Sequence, residues 1–185
     1  MRDATLIVVS GAPGTGKSTV AAALGVALAR PVLSLDPVKE TLADVLGTGD
    51  QDWSNQLGDA AAELLFRLGP AFPHAVVEGW WRGPRRERAI EVFAGATEVF
   101  CHCDPELAAR RMRARHGAGR HPIHRDVLDP AMIDAAPATV QRVVPLGLGA
   151  GLVAVDTGLP DATGAAVTQI RTLLAPPPPP PPPPR

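Results

Sequence analysis

No stretch of the chain reaches the roughly eighteen apolar residues that a membrane span requires. The opening, MRDATLIVVSG, holds only a short apolar run before glycine-rich polar sequence. It lacks the long apolar region and small-residue cleavage site of a secretory signal, so the expected compartment is the cytoplasm. Cysteine occurs only at Cys101 and Cys103, which flank His102 on one short apolar run. Two such residues on one face of a strand read as buried reduced thiols, because a metal site needs more ligands at usable spacing. Lysine is as scarce: Lys17 and Lys39 stand against sixteen arginines, ten of them between Arg82 and Arg125. The formal net charge of −1 leaves no whole-surface basic field, which argues against a membrane or extended nucleic-acid binder. Tyrosine is absent, and of 3 tryptophans two are adjacent, Trp80 and Trp81 in VVEGWWRGPRR.

What is present is ordinary for one globular domain: 185 residues, 45% hydrophobic and 20% charged. Short β-branched or apolar runs, TLIVVS, PVLSLD, HAVVEG, TEVFCHC and LVAVDTG, read as strands. Between them KSTVAAALGVALAR, PVKETLADVLG, SNQLGDAAAELLFRLG, PRRERAIEVFAG and DPELAARRMRARHG read as helices. A polar turn is expected around Gly47 to Asp52, PAMIDAAP reads as a short helix or turn, and DATGAAVTQIRTLL closes the domain as a helix. This alternation predicts an α/β fold in three layers, a five-stranded mostly parallel sheet with helices on both faces. Right-handed crossovers then bring every strand's carboxyl end, and the ligand crevice, to one edge. The domain is expected to span residues 1–175, leaving 176–185 as a tail that contains nine prolines. Such a run forms a polyproline II rod of about 28 Å, either inert or a ligand for a proline-recognising partner.

GAPGTGKST, Gly11 to Thr19, has the spacing of a P-loop and lies between a strand and a helix. Gly11, Ala12, Pro13, Gly14, Thr15 and Gly16 would curl backbone N–H groups around nucleotide phosphates. Lys17 would reach the β- and γ-phosphates, Ser18 would bind Mg²⁺, and Thr19 would add a phosphate contact. Asp36 follows the second strand on the same edge. It would accept a proton from an acceptor hydroxyl, hold a magnesium-bound water, or only cap the next helix, since Asp-Pro also opens helical sequence at Asp104 and Asp129. Lys39, on the same helical face, would contact the acceptor or pair with Asp36.

GAPGTGKST, LSLDPVKETLADVLG, LGDAAAELLF, AVVEGWW and RHPIHRD stand in the order seen in small P-loop kinases. In this the chain resembles the zeta-toxin-like and polynucleotide-kinase-like group, often labelled AAA family ATPases, whose relatives include gluconate kinase and chloramphenicol phosphotransferase. The resemblance implies an adenylate-kinase-like core, an acceptor-side carboxylate at Asp36, and an arginine-rich lid, here about residues 110–126. Where the group commonly has Asp after strand three, this chain has Glu78 followed by Gly79, Trp80 and Trp81.

Lid arginines suit phosphate because their planar fork binds oxygens bidentately. By position Arg111 and Arg115 are expected to be catalytic and Arg120 to touch the nucleotide, while His121 and His124 belong to the acceptor, the nucleotide or the surface. Glu78 would order the magnesium shell or bind an acceptor hydroxyl. Trp80 and Trp81 cannot both face the core if the segment stays extended, so at least one belongs beside the crevice. With Arg82 and Arg86 they form an expected acceptor wall. The function expected is ATP- and Mg²⁺-dependent transfer of the γ-phosphoryl to a hydroxyl of a small, ring-containing molecule. A nucleotide or polynucleotide kinase, and an ATP-binding regulatory module with slow hydrolysis, are the alternatives.

Overall fold

The computed structural model describes residues 6–175; the polyproline tail and its expected partner lie outside the described residues. Five strands, β1 (Ile7–Gly11), β2 (Val32–Ser34), β3 (Val76–Glu78), β4 (Thr97–His102) and β5 (Gly151–Asp156), form one sheet in the order β2-β3-β1-β4-β5. Every pairing is parallel, so the sheet is wholly rather than mostly parallel among the described residues.

The β1 run is apolar throughout because both faces of a parallel sheet are covered. Val8 packs with Val77, Leu65, Phe66 and Phe93 on one face. Ile7 and Val9 pack with Val20, Leu24 and Ile170 on the other. Helices α1 (Lys17–Leu28) and α9 (Ala162–Leu174) cover the second face, and α3 (Gln51–Ala71) and α4 (Pro84–Val92) the first. Helix α2 (Leu35–Leu46) leans on α3, and α5 (Pro105–Gly117) carries the short helices α6 (Arg125–Leu128), α7 (Ala131–Asp134) and α8 (Ala136–Arg142).

Three boundaries differ from the sequence reading. Strand β2 stops at Ser34, and Asp36 lies in the first turn of α2 rather than at a strand end or N-cap. Helix α3 begins at Gln51, inside the expected polar turn, because the Asp50 side chain caps it by accepting from the Trp53 amide at 2.9 Å. PAMIDAAP holds α7 and runs on into α8, whose second residue is Pro137. Asp104 does cap α5, accepting from the Leu107 amide at 3.0 Å, whereas Asp129 accepts from the Ala131 amide at 3.2 Å with Pro130 at the cap position of α7.

Away from the ligand edge, Glu98 on β4 is 1% exposed and accepts from the Ser10 hydroxyl and from the amides of Leu146 and Gly147. This ties the segment before β5 to the middle of the sheet. Cys101 and Cys103 are both buried free thiols, and burial pushes the Cys101 thiol up to about 12. No helix among the described residues is long and apolar enough to cross a membrane.

Candidate active site

The loop between β1 and α1 is shaped by close approach of backbone to backbone. Gly11 has φ 140°, and a Cβ there would stand 2.3 Å from the Cys101 carbonyl oxygen; at Gly14, φ 80°, it would stand 2.5 Å from the Ala108 carbonyl oxygen. No side chain can occupy either position, so the loop is fixed by glycine chemistry. Thr15 donates its hydroxyl to the Ala12 carbonyl at 2.7 Å, and Lys17 donates to the same oxygen at 2.8 Å. The amides at the start of α1 receive no side-chain cap. They and the positive end of the helix are therefore available to an anion, which fits nucleotide phosphates.

Two hollows meet at this loop. A groove holding about 1310 Å³ of open space runs past Gly14, Gly16, Thr19, Arg111, Thr157 and Leu159. A cleft with about 810 Å³ of open space, the solvent at its mouth included, lies on the other side, against Asp36, Lys39, Glu78 and Trp80. Lys17, Ser18 and Arg115 line both, so they mark the junction.

The cleft walls come from the ends of β2 and β3 and from the chain after α5. Glu78 ends β3, is 4% exposed, and accepts from the Ser34 hydroxyl at 2.6 Å. Burial raises its carboxyl above the ordinary value, against the pull of Lys17 and of the Ser34 and Ser18 hydroxyls. The same burial lowers the Lys17 ammonium, against Glu78 and Asp36. Burial works to raise Asp36 as well, but His124, Arg120 and Lys17 outweigh it and hold that carboxyl low. Asp36 keeps 42% of its side chain open, so it is ionised and reachable. A hydroxyl and a carboxylate held together at Ser18 and Glu78 suit a Mg²⁺ ion that takes its other ligands from phosphate and water. Among the described residues there is no cluster of three or more His, Cys, Asp or Glu arranged for a metal.

Arg120 bridges Asp126 at 2.8 Å and Asp36 at 3.2 Å. Expected beside the nucleotide, it instead lines the cleft, because two carboxylates compete for its fork. Arg111 faces the groove, donating to the Thr157 hydroxyl at 2.9 Å, to the Thr157 carbonyl at 2.8 Å and to the Gly14 carbonyl at 3.4 Å. Arg115 sits at the junction with its Nε buried and without a hydrogen-bond partner. Lys39 is 6% exposed and donates to the Ser54 hydroxyl at 2.6 Å, which in turn donates to the Ile123 carbonyl at 2.6 Å.

Two residues of the expected acceptor wall lie elsewhere. Trp81 is 4% exposed and packs against Phe66 and Phe93, with centroids 5.5 and 5.6 Å away. The chain turns at Gly79 and sends this indole into the core, leaving Trp80 on the cleft with the Arg82 guanidinium 4.9 Å over its ring. Arg86 points away and donates to the carbonyls of Val144 and Pro145 at 3.1 and 2.7 Å. The sequence reading had no signal for Ser54, Asp126, Thr157 or the 2.5 Å contact of His124 with Glu40. Ser54, Thr157 and the His124 contact are set by distant segments, and Asp126 by the local fold that turns Arg120 back onto it. His121 lies against Asp44 at 3.2 Å.

A family model for the AAA domain matches residues 6–136. A candidate kinase from Chloroflexus aurantiacus j-10-fl is 30% identical, with a TM-score of 0.81 over 92% of this chain and 98% of its own. Shikimate kinase from Bacteroides thetaiotaomicron is 17% identical, with a TM-score of 0.61 over 92% and 98%. Shikimate kinase from Acinetobacter baumannii, solved with shikimate, is 17% identical, with a TM-score of 0.60 over 92% and 93%. No functionally curated protein matches the chain.

Proposed function

The chain belongs to the AAA domain family, and from that premise we propose that it is an ATP- and Mg²⁺-dependent kinase that phosphorylates a hydroxyl of a small molecule. The observation that carries this reading is the single cleft lined at once by Lys17 and Ser18 of the phosphate loop and by Asp36 of α2. A nucleotide hydrolase has no need of a second chamber beside its phosphates; an acceptor does. The similarity to a candidate kinase at 30% identity supports a small P-loop kinase.

In this reading the nucleotide lies along the Thr157 groove with its phosphates on the loop amides. Mg²⁺, when bound at Ser18 and Glu78, would neutralise charge on the phosphates and fix their geometry. Asp36 accepts the acceptor hydroxyl's hydrogen bond through the oxygen that Arg120 leaves unused, orients the nucleophile and takes its proton. Being held ionised, it serves chiefly to position and only late to deprotonate. Lys17 and Arg115, whose buried Nε has no partner, stabilise charge on the transferring group. Arg111, pinned by Thr157, holds α5 over the loop. Lys39 and Trp80 contribute the acceptor wall, and Trp80 suits a ring.

The test is ATP turnover with and without a panel of hydroxyl-bearing metabolites, read as a mass gain of one phosphate. Feeble turnover alone and rapid turnover with one acceptor is the expected result. Acceptor-independent hydrolysis at a comparable rate would support the regulatory-module alternative instead.

A further inference from the structure

The charge of the cleft does not balance. Seven lysine and arginine side chains line it against three carboxylates, and each of these has a partner, Asp36 and Asp126 through one oxygen apiece on Arg120 and Glu78 on Ser34. The second Asp126 oxygen is buried and without one. Arg85 finds Asp59 outside the cleft at 2.6 Å. Arg82 and Arg125 find no carboxylate within ion-pair distance among the described residues. The Arg125 Nε is buried with no hydrogen-bond partner, and Arg82 rests on the face of Trp80. Burial, then Arg125 and Arg85, weaken the hold of Arg82 on its proton, so like charges crowd each other here. Arginines held together, one with an unfilled buried donor, are costly unless an anion completes them. In the proposed reading the nucleotide does not supply that anion, because neither Arg82 nor Arg125 lines the groove assigned to it.

We propose that Arg82 and Arg125, with Lys39 beside them in the cleft, form a second anion subsite that receives a carboxylate or phosphate already present on the acceptor. The acceptor class is thereby a negatively charged hydroxyl compound. This rests on the phosphotransfer reading, in which the cleft holds the acceptor. Two guanidinium forks offer bidentate contacts that a neutral polyol cannot use. Trp80, under Arg82, sets the distance between the charged group and the hydroxyl presented to Asp36.

The experiment fills the phosphate loop with adenylyl imidodiphosphate and Mg²⁺, then titrates malonate or inorganic phosphate against chloride at matched ionic strength. Thermal stability and calorimetric affinity are read. At least one anion is expected to stabilise the protein beyond chloride, the two arms telling a carboxylate subsite from a phosphate one. The Arg82→Gln/Arg125→Gln double variant should lose about tenfold or more in anion affinity while keeping its affinity for the nucleotide analogue. The corresponding double lysine variant, which keeps the charge, should retain part of the binding even if the glutamine variant folds poorly. Stabilisation by neither anion, or equal binding by the glutamine variant, overturns the subsite. Absence of any shift from the analogue instead defeats the phosphotransfer reading, and the anion titration still reads the subsite alone. An acceptor found by its mass gain that passes an anion exchanger unretained overturns the proposal and leaves phosphotransfer standing.

Discussion

Glu78 sits where burial disfavours its charged form. Its folded pKa is raised by burial, so the native state binds its proton more tightly than the unfolded state, and stability attributable to it falls as pH rises through that window. Glu78→Gln is therefore expected to raise the melting temperature of the ligand-free protein at neutral pH, by a margin that shrinks as pH falls to the ordinary carboxylate range. The same variant should lose the Mg²⁺ dependence of nucleotide binding. Lys39 works in the opposite sense. Burial pushes its ammonium down from 10.5 to about 8, so between these values the unfolded chain holds more protons and stability rises with pH. Urea midpoints across that window should rise for the native sequence and stay flatter for Lys39→Met. Asp36→Asn should cut phosphoryl transfer by about a hundredfold or more with nucleotide affinity kept; unchanged transfer would end its assignment as base. Lys17 and Ser18 are legible from the fixed spacing of the phosphate loop and Glu78 from the end of β3, whereas Asp36 is found through its place just after the second strand although it lies in the first turn of α2. Ser54 is not legible, because its meaning comes from Ile123, 69 residues away.

At the scale of elements, the pair after β3 divides labour by one turn of backbone. Trp81→Ala removes an indole from a cluster with Phe66 and Phe93 and should cost about 3–5 kcal/mol in chemical unfolding. Trp80→Ala should cost far less stability and raise the acceptor's KM. Alternation along an extended segment said that one indole must leave the core, but not which one. That depended on where the strand ended, and β3 has only 3 residues. Helix α5 is held at its start by the Asp104 cap and along its length by the Arg111 contact with Thr157. Thr157→Val should loosen Arg111 by removing its hydroxyl contact while leaving those to the Thr157 and Gly14 carbonyls, and lower kcat modestly with little change in unfolding midpoint. Helix α2 was misjudged at its start because Asp-Pro normally sits at a cap, whereas here Ser34 takes that place and Asp36 is freed to face the cleft.

For the whole molecule, the order of strands brings the ends of β1, β2 and β3 to a common edge, and that much followed from alternation and crossover handedness alone. The closure of the chain over this edge did not. It depends on Ile123, 0% exposed among Ala43 and Leu57, and on Arg120 reaching Asp36 across 84 residues, contacts that no local pattern encodes. A saturating nucleotide at about a hundred times its Kd should stabilise the whole domain by about 2.7 kcal/mol, and Lys17→Ala should abolish that gain.

The chain's two lysines are 8% and 6% exposed and both line the cleft. The folded surface described here therefore offers no lysine amine to acylating reagents or to enzymes that attach groups to lysine. Any such mark on Lys17 or Lys39 would record an opened cleft or an unfolded chain, and a nucleotide or acceptor bound there would shield both at once.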